Sequence, residues 1–259
     1  MIELAVALII IAILLGSILV PLNTQVESRK IDETQRIIAR AREALLGYAA
    51  AYGYFPCPAS PTSNGQEAVV DRNLGTCHVT TFGANVYQGF LPAASLGLTP
   101  TDSQGYLLDG WGFSPQNRIR YAVSTQTVNS ISNPFTRING IRNAGMANVL
   151  GVAAGLIHVC NSSVGVNGST DCGTAVSLTR NAVVVIWSVG GNLHPSPGIN
   201  PPNPNEAQNP NVNGGSTDRI FVSRTQSGAG APGGTFDDIV EWISPSILFN
   251  RLVQAGQLP

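Results

Sequence analysis

The chain has 259 residues, a net charge of −1 and only 11% charged residues. With one lysine, Lys30, and no basic cluster in its C-terminal four-fifths, it lacks the electrostatic footprint of a nucleic-acid binder. Four cysteines, 28 glycines and 17 prolines fit a loop-rich chain of an oxidising compartment, long enough for one sizeable core.

Residues 1–20 are nearly all Ile, Leu, Val and Ala, a run of the length that crosses a bilayer as a helix. Its one charged residue, Glu3, costs roughly 2.5–3.5 kcal/mol on insertion scales. The first basic side chains are Arg29 and Lys30, so a partner amine would come from a neighbouring copy; otherwise the acid sits solvated at headgroup level. Past Pro21 the pattern stays helical and becomes two-faced. Val26, Ile31, Thr34, Ile37, Ile38, Ala41, Leu45, Tyr48, Ala49 and Tyr52 recur at three-four spacing, opposite Arg29, Lys30, Glu33, Arg36, Arg40 and Glu43. Gly53 ends the helix, and Pro56 and Pro58 forbid its resumption. The expected division is an N-terminal helix over 1–53, apolar through 21 and amphipathic over 22–53, and a β-rich head over 54–259.

Met1-Ile2-Glu3-Leu4, the apolar run and its amphipathic continuation resemble the N-terminus of type IV pilins and type II secretion pseudopilins. The resemblance covers about the first fifth of the chain. It implies an α+β fold in which the long helix packs on an antiparallel sheet. It also implies processing by a prepilin peptidase, N-methylation, and a glutamate, here Glu3, that pairs with the N-terminal amine of an adjacent subunit. Met1 would carry that amine here, and Gly16 and Pro21 correspond in kind to the family's helix-loosening residues. The family's basic leader and cleavage glycine do not precede Met1 in this sequence, so the resemblance does not assign the cleaved bond.

Pro56 to Pro100 reads as loop, in the place of the family's variable connector. The four cysteines, Cys57, Cys77, Cys160 and Cys172, allow three pairings. The sequence-local one, Cys57–Cys77 with Cys160–Cys172, is favoured because it closes two modest loops. The rival is a metal site using His78 or His158, but the tight spacing of zinc ligands is missing. Asp109-Gly110-Trp111-Gly112, followed by a Tyr-bearing strand, resembles a pseudopilin head motif, with Gly110 where proline is common and Trp111 as a core anchor. Arg118 to Ser124 alternates like a half-buried strand.

Ser124 to Gly155 is Asn-rich, with a short helix expected within Met146–Leu156, and Leu156 to Cys160 reads as a strand. Ala182 to Val189 is a continuous β-branched run, the candidate central strand. Asn192 to Thr217, rich in Pro and Asn, reads as a long exposed loop. Strands are expected over Asp218–Arg224 and, at a sheet edge, Asp237–Ile243. Ser244 and Pro245 then open a closing helix through Gln254.

His78, His158 and His194 lie in no catalytic motif. Asp237-Asp238 on a strand would point to opposite faces, so an enzyme is not expected. Asn205, Glu206, Asn209, Asn211, Asn213 and Asp218, with Asp237 or Asp238, offer hard oxygen ligands for calcium, against a plain solvated loop. No other cofactor is expected. The functional expectation, implied by the resemblance, is a filament subunit. It starts in the bacterial inner membrane and polymerises through its helix, with the assembly machinery as partner, into a surface or periplasmic filament. A secretion pseudopilin and a membrane-tethered binding module are the alternatives.

Overall fold

The computed structural model describes residues 2–78, 86–152, 155–167, 171–192, 203–209, 219–228, 230–231 and 234–258, and for residues 2–24 chiefly the backbone. The chain is α+β. The helix α1 (Ile2–Tyr52) leads into a hairpin, β1 (Val69–Asp71) and β2 (Thr76–Cys77), then β3 (Val86–Phe90) and β4 (Arg120–Ser124). Two short helices follow, α2 (Gly140–Ala144) and α3 (Met146–Leu150), then β5 (Ile157–Cys160), β6 (Ser177–Ala182) and β7 (Val184–Ser188). A 3-10 turn (Glu206–Gln208), β8 (Ile220–Val222), β9 (Ile239–Ile243) and α4 (Pro245–Gln254) complete it.

Among the described residues the main sheet has the order β3-β4-β7-β9, antiparallel throughout. A second sheet has the order β6-β5-β8, in which β5 and β8 run parallel, a departure from the all-antiparallel expectation. A parallel neighbour needs a long connection, and β8 enters the sheet some sixty residues after β5 (Cys160 to Ile220).

Both faces of the main sheet are covered, and the period-two alternation of its strands sorts the side chains. Tyr121, Val123, Val184, Ile186, Ile239 and Ile243 share a cluster with Ile38, Ala41, Leu45, Leu46 and Ala49 of α1. Ala122, Val185, Trp187 and Val240 share another with Ile157, Val159 and Phe221 of the second sheet. This is why residues 182–189 read as one unbroken apolar run: β7 is central, and all five of its residues are buried. It is also why β4 is not half-buried as its alternation predicts. All five of its residues are buried, Arg120 included.

The stripe on α1 is narrower than the periodicity predicts. Thr34, Ile38, Ala41, Leu45 and Ala49 are buried and Leu46 joins them, but Val26 and Tyr52 are 50% and 57% exposed. Among the described side chains, those the head buries on the helix lie between these two positions. Tyr52 instead lies against the Tyr48 ring, with centroids 4.5 Å apart. Gly53 ends the helix with φ +77 and its N–H on Ala49 O, as expected.

The stretch read as loop between Pro56 and Pro100 supplies β3, a strand of the main sheet whose five residues are all buried. Gln88 and Gly89 mask it in the sequence. Gly89 is required because a Cβ there would meet Ala59 O at 2.6 Å, where Ala59 and Phe90 exchange backbone bonds of 2.8 and 2.9 Å. Both disulfides are the sequence-local pairs, Cys57–Cys77 and Cys160–Cys172. On loop-closure entropy each contributes roughly 3 kcal/mol. With both pairs oxidised, the rival metal reading through Cys77 and Cys160 falls.

A polar lock near its middle helps fix α1 to the head. Thr34 Oγ1 donates to Lys30 O at 2.8 Å and accepts the Gly110 N–H at 2.9 Å. Behind that turn the buried Asp109 carboxylate accepts the Trp111 and Gly112 N–H groups, the Asn117 amide at 2.8 Å and the Ser188 hydroxyl. Trp111 is buried in the helix-side cluster, as an anchor should be. A Cβ on Gly110 would sit 2.4 Å from Lys30 O. Gly110→Ala should therefore destabilise the protein by roughly 1–3 kcal/mol in urea unfolding. Gly47→Ala, on an open helix position with nothing within 4 Å, should stabilise it by about 0.5–1 kcal/mol.

Candidate functional site

The segment expected to be an exposed loop contains a densely hydrogen-bonded polar site. Within Asn192–Thr217 the residues 203–209 are described, and Asn203, Asn205, Glu206 and Asn209 are all buried. Pro and Asn build no apolar core there, but asparagine side chains satisfy backbone groups wherever they are buried. The Asn203 amide donates to Thr235 O, and its oxygen accepts the Asn205 N–H at 2.9 Å. Asn205 Oδ1 accepts the Ser163 N–H at 2.9 Å. Asn209 mimics a strand residue against β8, accepting the Val222 N–H at 2.8 Å and donating to Val222 O at 2.9 Å.

This seven-residue turn brings Glu206 onto the ends of β7 and β9. The Asn192 amide, just past β7, donates to both Glu206 oxygens at 3.0 and 2.9 Å. The Asp237 N–H donates to Glu206 Oε1 at 2.9 Å. Asp237 Oδ2 accepts the Gly191 and Asn192 N–H groups, both at 2.9 Å. Asp238 Oδ2 accepts the second Asn209 amide bond at 2.8 Å. One carboxylate oxygen from each of Glu206, Asp237 and Asp238 lies within 4.8 Å of the others.

At an effective dielectric of about 20, two full charges at that separation repel by on the order of 3 kcal/mol. Burial adds to this by disfavouring the charged forms. It raises Glu206 to about 7 despite the bonds from Asn192 and Asp237. Burial likewise raises Asp237, and it lifts Asp238 well above the usual carboxylate range, with the Glu206 charge adding to the effect. The guanidinium of Arg120 acts in the opposite sense on Asp238, while its own pKa is lowered to about 9 by burial. Asp102 behaves differently. Burial raises its carboxyl, but bonds from the Tyr106 N–H, Ser114 and Arg118 outweigh this and hold it below its ordinary value.

The expectation that Asp237 and Asp238 face apart is overturned. Neither lies in β9, which begins at Ile239, and the chain there is turned to present both carboxyls to Glu206. Of the other calcium candidates, Asn205 bonds Ser163, and Asn211, Asn213 and Asp218 lie outside the described residues. The assembly residues Met1, Glu3, Gly16 and Pro21 fall in the stretch whose side chains are not described. Among the described residues no helix is long and apolar enough to cross a membrane. Sequence reading missed Asn192, the residue that orients Glu206. Its only signal is its place after the Gly190-Gly191 end of the central strand.

Comparison with protein-family models, curated proteins and solved structures finds no match to this chain.

An unfolded glutamate releases its proton near pH 4.3, whereas folded Glu206 holds it to about 7. Across that interval the unfolded chain binds fewer protons, so stability falls as pH rises. The protein should therefore lose stability between pH 5 and pH 8, by at most about 2–3 kcal/mol before solvent screening reduces it. The loss would be read from urea midpoints, and Glu206→Gln should reduce the dependence, leaving the part that the raised Asp237 and Asp238 carry.

Proposed function

We propose that this chain is a structural, non-catalytic subunit of an extracellular type IV pilus-like filament, polymerising through its N-terminal helix. The observation that carries the reading is the division of labour along α1. From Thr34 to Ala49 the helix buries a stripe against the head, while Gln25 to Arg29 are exposed. Beyond them, toward the N-terminus, the sequence is an apolar run of twenty residues with one acid, Glu3. A run of that kind needs an apolar surround, first lipid tails and then the same segment of sister subunits, held mainly by burial of apolar area. The monomer would sit in the bacterial inner membrane, be processed by a prepilin peptidase, and be drawn into a filament by an assembly machinery. Glu3 would then set axial register by meeting the amine at Met1 of a neighbour, since an unpaired buried carboxylate is penalised. Gly16 and Pro21 would let the rod unwind locally.

The Asp109–Gly112 turn supports the same reading: it joins helix to sheet through the motif that resembles pseudopilin heads. The size of the head, residues 54–259, favours a minor or specialised subunit. The second reading is therefore a pseudopilin in the short periplasmic filament of a type II secretion system.

Filaments sheared from cells and analysed by mass spectrometry should contain this chain. Glu3→Ala should leave its membrane level unchanged and lower its amount in the sheared fraction by roughly tenfold or more, the factor carried by about 1.4 kcal/mol. Wild-type yield from that variant removes the register role. A chain that stays monomeric in membranes while other subunits polymerise removes the filament reading.

A further inference from the structure

The main sheet ends at β9, which has its neighbour, β7, on one side only. Ile243 O accepts the Val183 N–H at 2.9 Å and so faces inward. By the alternation of an antiparallel ladder, the backbone groups of Val240 and Trp242 then face outward. Among the described residues no other segment bonds them. Edge strands are commonly blunted by lysine, proline or a covering segment. β9 has neither lysine nor proline, and its one charge is Glu241. Its edge borders a groove of about 660 Å³, lined from α1 by Gln35, Ala39 and Arg42, from the chain after β8 by residues 223–226, and by residues 238–241 themselves.

Two buried donors that line this groove lack a hydrogen-bond partner, Arg42 Nε and Gln226 Nε2. Each is a cost that an incoming carbonyl or carboxylate oxygen removes. Charge points the same way. Arg42 meets Glu43 only at 3.6 Å, and Arg251 holds Glu43 closer, at 2.6 Å. Arg224 lies 5.9 Å from the Phe236 ring centroid and has no ion-pair partner among the described residues. Of the two carboxyls at the groove, Glu241 is exposed to water, and burial favours the neutral form of Asp238. The two guanidiniums are therefore the charge that an occupant meets.

An extended peptide supplies what the groove lacks: N–H and C=O groups along one edge at the strand repeat, with side chains alternating above and below. Ala39 is exposed and carries only a methyl group, which leaves room for a backbone beside the helix. A second copy of this chain fits less well. Its own sheet is covered on both faces, and a bare strand is thin enough to enter between α1 and residues 223–226 where a covered sheet is not. We propose that the groove beside β9 binds an extended segment of another polypeptide, which joins the four-stranded sheet as a fifth strand and brings an acidic side chain to Arg42 and Arg224. This binding belongs to the head and does not rest on the filament reading.

The test pans a phage-displayed library of random peptides against the full-length chain in detergent micelles, and the enriched peptides are then synthesised. They should carry an Asp or Glu among β-branched residues, and replacing that acid by its amide should weaken binding roughly tenfold. Bound peptide should slow amide hydrogen exchange across residues 239–243. Ala39→Trp fills the groove from an exposed helix position and should abolish binding without moving the melting temperature. Gln35→Trp, one turn away, blocks the same groove if the first variant unfolds. Arg42→Gln should erase the preference for the acid over its amide. No enrichment over empty micelles overturns the site, as does binding that survives both blocking variants or exchange protection confined to other segments. An acid preference unchanged in Arg42→Gln overturns the assigned chemistry. A peptide-free dimer in sedimentation that Ala39→Trp dissolves gives the groove to a second copy and overturns the foreign partner.

Discussion

Ile186 and Trp187 are neighbours on β7 and face opposite ways, Ile186 into the cluster under α1 and Trp187 into the cluster with Phe221. That two-sided burial is the constraint on which the rest of the head depends. A strand covered on both faces needs apolar residues at every position, and β7 has them until Ser188, whose hydroxyl is spent on Asp109. On one side the sheet selects the stripe of α1. On the other it selects Ile157, Val159 and Phe221, and with them the second sheet. The helix and the second sheet make their principal apolar contacts with the main sheet rather than with one another.

The polar groups collect where that cover runs out. Beyond Ser188 the chain turns through Gly190 and Gly191, and Asp109, Asn117, Asp237 and Glu206 gather around this end of the sheet. The two clusters there differ in completeness. Asp109 has four donors around it, and it still has a raised pKa because burial outweighs them. Asp237 and Asp238 are left with an oxygen each that nothing fills. A satisfied buried carboxylate fixes geometry, whereas an unsatisfied one invites a ligand.

Much of the architecture was legible in the residues, because it follows from periodicity. The helix to Tyr52, the central strand, the edge position of β9 and the closing helix from Pro245 all announce themselves through spacing, caps and β-branched runs. The disulfide pairing was legible through loop length. What was hidden has a common cause: the polar residue that is buried because of a distant partner. Gln88 and Gly89 disguise β3, and the reason for Gly89 is Ala59 and not its neighbours. Arg120 makes β4 look half-exposed. The Asn203–Asn209 turn reads as solvent-loving because composition records that asparagine is polar, not that its amide replaces a missing strand beside Val222. For Asp237 and Asp238, the assumption of strand geometry sent the two side chains to opposite faces, and the chain enters β9 only two residues later.

The polar tie between α1 and the Asp109 turn has a mechanical consequence. Thr34 is the first fully buried position among the described side chains of the helix, and below it lie four turns of apolar contact through Ala49, a seam of roughly 22 Å at 1.5 Å per residue. A load pulling along the rod would reach the Thr34–Gly110 bond first and then run into a seam loaded in shear, where Ile38, Ala41, Leu45 and Ala49 resist together rather than one after another. A load prying the head sideways would peel the same contacts in sequence. The joint is therefore strong lengthwise and weak crosswise, like overlapping planks glued along their faces.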